Sequence, residues 1–239
     1  NGGANSGRAS LAAALMLKAR VVMYQKDNAK YAEAASGLAE IIASGEFELT
    51  SKYADIWVDE GEFNKESIFE ANHIGKGTGG NVGDKVEIAS GGSYVIRFQD
   101  TGFWLAKYAA RKGYHKPTGT IALNYCNNLR IFRYAETLLA YAELVGVEGV
   151  AEQKGISAQQ CLDMVRDRAF GDTNHRVAVN KQNIINENHY EFVGEGHRYY
   201  DVVRWGITEV LNVGNVPGIN SARTWKSHNK YVAIPQGDI

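Results

Sequence analysis

Apolar positions recur at helical spacing through most of the chain and lapse between residues 46 and 127. Residues 8–25 carry Leu11, Leu15, Val22 and Met23 among small alanines and predict a helix, because alanine favours the helix and the larger residues share a face. Lys26, Asp27 and Asn28 make a turn. Residues 29–44 then predict a second amphipathic helix, with Tyr31, Ala35, Leu38, Ile41 and Ile42 inward and Gly45 as its stop. Two helices joined by so short a turn pack antiparallel, and one such pair cannot bury its own faces, so further pairs are implied. Residues 128–145 predict another long helix with Leu129, Phe132, Ala135, Leu139 and Ala142 on one side; its Glu136 and Glu143 read as polar-face or capping residues. Ser157 and Gln160 have capping-box spacing, and Gly171 ends the helix they open.

The intervening stretch has a different character. Residues 46–74, with Phe47, Leu49, Tyr53, Ile56, Trp57, Ile68 and Phe69, suit a short extended segment. Residues 75–92 hold seven of the chain's 26 glycines and read as a loop. Gly75, Gly77 and Gly80 satisfy a GxGxxG spacing, but no amphipathic helix opens on the third glycine to offer its amides to a pyrophosphate, so a flexible excursion is the better reading. Tyr94, Phe98, Phe103, Trp104, Tyr108 and Tyr114 follow within 21 residues. Aromatic faces of this kind stack on the C–H groups of a sugar ring while Asn, Asp or Arg bond its hydroxyls. Trp104, Tyr94 and Phe98 are the candidate anchors, with Asn81, Arg97 and Asp100 as polar partners. The competing reading is that Trp104 and Tyr108, four apart, dock a short helix onto the core.

The most ordered stretch is 187–206, where two helical pieces meet at Gly194-Glu195-Gly196. Ile185, His189, Phe192 and Val193 predict the apolar stripe of the first piece, and Tyr199, Val202 and Val203 that of the second. The glycines tolerate the positive φ of a tight corner, and Trp205-Gly206 closes the element. Glu195, Arg198, Asp201 and Arg204 are each three apart, which predicts a ladder of ion pairs along one helix face. Glu191, Glu195, His197 and Asp201 would alternatively supply an acid/base pair or a metal site. With arginines one turn from the acids and no HExxH motif, the ladder is the better account.

Composition narrows the function. The chain has 239 residues, a net charge of −1 and no basic run, so neither a nucleic-acid tract nor a polybasic membrane patch is expected. Cys126 and Cys161 read as buried thiols and not as a disulfide framework. Asp84 and Asp100 are isolated, no calcium-loop spacing occurs, and neither metal nor cofactor is expected. There is no run of apolar residues long enough for a membrane span.

Several motifs together resemble the SusD/RagB family of nutrient-binding outer-membrane lipoproteins. Glu191, Phe192, Gly194, Glu195, Gly196, Arg198, Asp201, Arg204, Trp205 and Gly206 match its C-terminal signature. Gly7-Arg8-Ala9, the Tyr53/Asp55/Ile56 and Glu66/Ile68/Phe69/Glu70 groups, Arg133-Tyr134-Ala135-Glu136 and Val165/Arg166/Arg168/Ala169 match others in the family's order. One departure is that Glu187 is followed by Asn188 and His189, where the family usually has a Glu-Arg pair. The helix pairs resemble tetratricopeptide units. The resemblance implies a mainly α fold of TPR-like helix pairs with long irregular excursions, in one domain over 1–239: helix pair 8–45, excursion 46–127, helices 128–206 and tail 207–239. It also implies that an N-terminal portion, with a lipid-bearing cysteine, lies upstream. The implied function is non-enzymatic capture of a glycan at the outer face of a Bacteroidetes-type outer membrane, for import through a SusC-like TonB-dependent transporter. A RagB-like peptide carrier and a two-carboxylate glycoside hydrolase are the alternatives; the latter needs carboxyls roughly 5–10 Å apart across a cleft.

Overall fold

The computed structural model describes residues 8–72, 105, 107, 108, 128–215 and 221–231. Helix α1 spans Leu11–Gln25 and begins where the Ser10 hydroxyl accepts the amide of Ala13 at 3.1 Å. It ends at Lys26 in the left-handed region, with φ 54°, and the Lys26 amide closes on the Met23 carbonyl at 3.2 Å. Its buried face is Ala13, Met16, Ala19, Val22 and Met23, while Leu11 is 72 % exposed and Leu15 only partly buried. The stripe is thus rotated from the one expected on Leu11 and Leu15. In a helix apolar on most sides, close packing selects the small residues for the interface. Helix α2, Tyr31–Ala43, presents Ala34, Ala35, Gly37, Leu38 and Ala39 to the core. A methyl group on Gly37 would lie 2.9 Å from Leu15 Cδ2, so the two helices cross where α2 has no side chain.

Strand β1, Ser67–Ala71, pairs antiparallel with β2, Leu129–Arg133, with register irregularities around Phe69. Residues 128–145 are therefore not one helix: helix α3 starts at Tyr134 and runs to Gly146. Leu129, Ile131 and Phe132 suit a pleated surface as well as a helical stripe, and the strand at 67–71 supplies the backbone partners that decide between them. The Tyr134 amide then donates to the Glu66 carbonyl at 2.8 Å, tying the start of α3 to β1.

Helix α4, Ala158–Phe170, is capped by Ser157, which accepts from the Gln160 amide at 3.1 Å, and is ended by Gly171 at φ 75°. Helix α5, Lys181–Glu191, and helix α6, His197–Trp205, meet at Gly194 and Gly196, both at positive φ. In α5 the expected stripe is only half right. Ile185 and Phe192 are buried, but His189 and Val193 are exposed, and Ile184, Glu187, Asn188 and Glu191 face inward. Consecutive helices stack, α1 on α2, α2 on α3 and α3 on α4, while α5 packs on α3 and α6 on α1. The shared core includes Leu38, Leu138, Leu139, Tyr141, Leu144, Leu162 and Val165. Cys161 sits within it, its thiol pushed up to about 12 by burial and so inert; Cys126 lies outside the described residues. Beyond α6 there are short 3-10 turns at Thr208–Leu211 and Ser227–Lys230 and a bridge between Val213 and Arg223. Among the described residues no helix is long and apolar enough to cross a membrane.

Candidate functional site

Three carboxylates and three cations meet where β1, β2, α4 and the α5–α6 corner converge. Arg133, at the end of β2, is buried and donates to Glu66 at 2.6 Å, to Glu191 at 2.9 Å and through two nitrogens to Glu195 at 2.8 Å. Arg168 of α4 donates to Glu66 at 3.0 Å and Glu191 at 2.7 Å. Lys107, from the excursion, donates to Glu195 at 2.6 Å and to the Glu191 carbonyl at 2.7 Å. Burial lowers the Lys107 ammonium below its ordinary value, and Glu195 opposes that effect. Aromatic faces cover the cations: Arg133 lies 5.3 Å from the Trp57 ring and 5.1 Å from that of Phe192, and Lys107 lies 5.2 Å from Tyr53 and 5.0 Å from Trp57. Tyr108 meets Trp57 edge to face at 5.1 Å. The charges balance and the carboxylates accept charge-assisted bonds, the condition for tolerating such burial.

A second set of ties surrounds a cleft of about 840 Å³ between α1, β2, α3 and α6. Val21, Tyr24, Leu129 and Tyr200 form its half-exposed apolar rim, and Tyr24 and Tyr200 touch edge to face at 5.9 Å. Deeper in the cleft, Glu136 accepts two bonds from Arg20, at 2.9 and 2.7 Å. Glu143 accepts from the Arg204 guanidinium and from Trp205 Nε1 at 2.8 Å, and Arg204 Nε donates to Asp201 at 2.8 Å. Burial raises both Glu136 and Asp201 above the ordinary carboxylate values. His197 stacks on Phe192 at 4.4 Å, and burial, reinforced by Arg20, Arg133, Lys107 and Arg204, holds its imidazole neutral, with a pKa down to about 3.

The sequence profile of the SusD family matches residues 22–236. The chain belongs to the SusD family. Among solved structures it is similar to Surface glycan-binding protein A from Bacteroides fluxus, at 44% identity and a TM-score of 0.83, covering 96% of this chain and 59% of that one. Surface glycan-binding protein A from Bacteroides thetaiotaomicron in complex with laminarihexaose is 32% identical, with a TM-score of 0.82, over 100% of this chain and 63% of that one. A laminarin-binding SusD-like protein is 29% identical, with a TM-score of 0.68, over 86% and 57%. The SusD-family chain thus spans about three fifths of the length of these relatives. No curated protein matches it.

The structure corrects the expected ladder. Of its three rungs only Asp201 with Arg204 forms along α6. Glu195 instead turns into the core to Arg133 and Lys107, and Arg198 Nη1 is buried without a hydrogen-bond partner among the described residues. Glu195 precedes the first residue of α6, so helical spacing does not govern where its carboxylate points. The signature residues Glu191, Glu195, Arg204 and Trp205 join separate elements, and Asp201 steadies Arg204 for its bond to Glu143. Glu136 and Glu143 are likewise ties to Arg20 and Arg204 and not a solvated face. Glu187, where the signature departs from the family, bonds Arg166 of α4 at 2.5 Å. Sequence reasoning missed Arg133, Arg168, Lys107 and Glu66 as partners; the motif positions of Arg133, Arg168 and Glu66 were visible, but their convergence was not. Trp104, Tyr94, Phe98, Asn81, Arg97 and Asp100 lie outside the described residues.

Proposed function

We propose that this chain is the scaffold-bearing part of a cell-surface glycan-capture protein that binds oligosaccharide without breaking it. On this reading Trp104, Tyr94 and Phe98 supply the stacking faces and Asn81, Arg97 and Asp100 the hydrogen bonds. The protein is held by lipid at the outer face of the outer membrane and delivers its ligand to a SusC-like TonB-dependent transporter. The observation that carries the reading is the likeness to Surface glycan-binding protein A of Bacteroides fluxus over nearly the whole chain. The site chemistry supports it. Glu66, Glu191, Glu195 and Glu143 are each bonded to arginine, and so are Glu136, to Arg20, and Asp201, to the Arg204 it shares with Glu143. A hydrolase needs one carboxyl free to protonate a leaving group and a second facing the sugar. Titration with laminarihexaose tests the proposal: saturable binding is expected, and Trp104→Ala should weaken it by about 2 kcal/mol or more. Full affinity in a folded Trp104→Ala protein removes Trp104 from the site, and no binding to laminarihexaose or other glycans contradicts the function.

A further inference from the structure

The α5–α6 corner has a feature that ion-pair locking does not explain. Gly194 lies at φ +78°, and a methyl group on it would meet Leu105 Cδ1 at 2.4 Å and Cδ2 at 2.5 Å. The Leu105 side chain, from within the aromatic stretch between Tyr94 and Tyr114, therefore sits in the space that the missing side chain leaves. Two residues on, Lys107 inserts its ammonium beside it, bonded to the Glu191 carbonyl and to Glu195 Oε1 and flanked by the Tyr53 and Trp57 rings. Tyr108 completes the contact against Trp57. Glu195 is in turn held by two nitrogens of Arg133, which is itself buried.

We propose that the Gly194-Glu195 corner is a socket that seats the excursion, with Leu105 as the apolar peg and Lys107 as the charged one, and that both are positioning residues for glycan binding. Leu105 directly follows Trp104 in the sequence, so the socket holds the covalent neighbour of the residue proposed above as a stacking face. Seating part of a ligand-bearing segment removes conformational freedom that binding would otherwise have to remove. It also gives the GEG part of the signature a role in the family: glycine because a leucine occupies its side-chain space, glutamate because a buried ammonium must be met there. The ligand part of this proposal rests on the glycan reading above.

The test uses Leu105→Ala, Lys107→Met and the conservative Leu105→Met in the natural full-length protein, with hydrogen exchange and laminarihexaose affinity measured on each. Leu105 is 44 % exposed, so its truncation leaves the core intact. Exchange in the peptide spanning 105–108 should rise about tenfold in Leu105→Ala and Lys107→Met while that of α3 and α4 is unchanged, and Kd should rise about tenfold with it. Leu105→Met should restore both. Unchanged exchange overturns the socket. Faster exchange with unchanged Kd overturns the positioning role, because a structural contact alone would give that result. If the unsubstituted protein binds no glycan, the glycan reading fails and the positioning role with it, while exchange still decides the socket.

Discussion

Arg133 pairs with more carboxylates than any other side chain among the described residues. It is charged and buried, and it bonds three carboxylates from two separate parts of the chain. Removing it leaves Glu66, Glu191 and Glu195 with only Arg168 and Lys107 to oppose them. Arg133→Met should therefore lower unfolding free energy by about 3–5 kcal/mol, measured by denaturant titration; a loss below about 1 kcal/mol would mean that the cluster is not a main tie. His197 gives a pH signature. Its folded pKa is depressed to about 3 against 6.5 in the unfolded chain, so its contribution is full above pH 6.5 and is lost as pH falls towards 3. Glu136 and Asp201, raised by burial, act in the opposite sense, favouring the fold when protonated. Comparison with His197→Asn isolates the histidine: between pH 7 and pH 5 the parent protein should lose about 2 kcal/mol more than the variant. Equal losses would show that the imidazole is not held neutral. The residue types of this network were legible in the sequence, but their partners were not. Spacing of three residues reports neighbours only within a helix, and Glu195 belongs to the corner before it.

At the scale of elements, the helices were legible from their apolar spacing and, for α4 and α6, from local caps: Ser157, Gly171 and Gly206 each do what their residue type requires within a few positions. The faces were less so. α1 is apolar nearly all round, and α5 turns two glutamates inward, because arginines on α4 and β2 await them. The start of α3 was misplaced for a related reason, since a strand depends on a partner at 67–71 that lies more than fifty residues away. Close packing between elements gives a direct check. A methyl on Gly146 would meet Val179 Cγ1 at 2.3 Å and Ala158 Cβ at 3.0 Å. Gly146→Ala should destabilise by about 1–3 kcal/mol through overpacking at the α3–α4 junction, despite alanine's better helix propensity. A gain in melting temperature would contradict that packing.

For the whole molecule, the pairs α1–α2 and α3–α4 stack on one another, and Leu105, Lys107 and Tyr108, from the chain between β1 and β2, pack against the α5–α6 corner and Trp57. Among the described residues, Glu66, Glu136, Glu143, Glu191, Glu195 and Asp201 are each bonded to an arginine, which favours the proposed binding role over a hydrolytic one. The most direct test is to titrate the natural full-length protein with laminarihexaose and with a panel of plant, microbial and host glycans beside a peptide panel, analysing every sample for products. Saturable glycan binding with the oligosaccharides recovered intact is the predicted result. Binding confined to peptides, or cleavage of any bound glycan that is abolished by Glu136→Gln, would contradict the account.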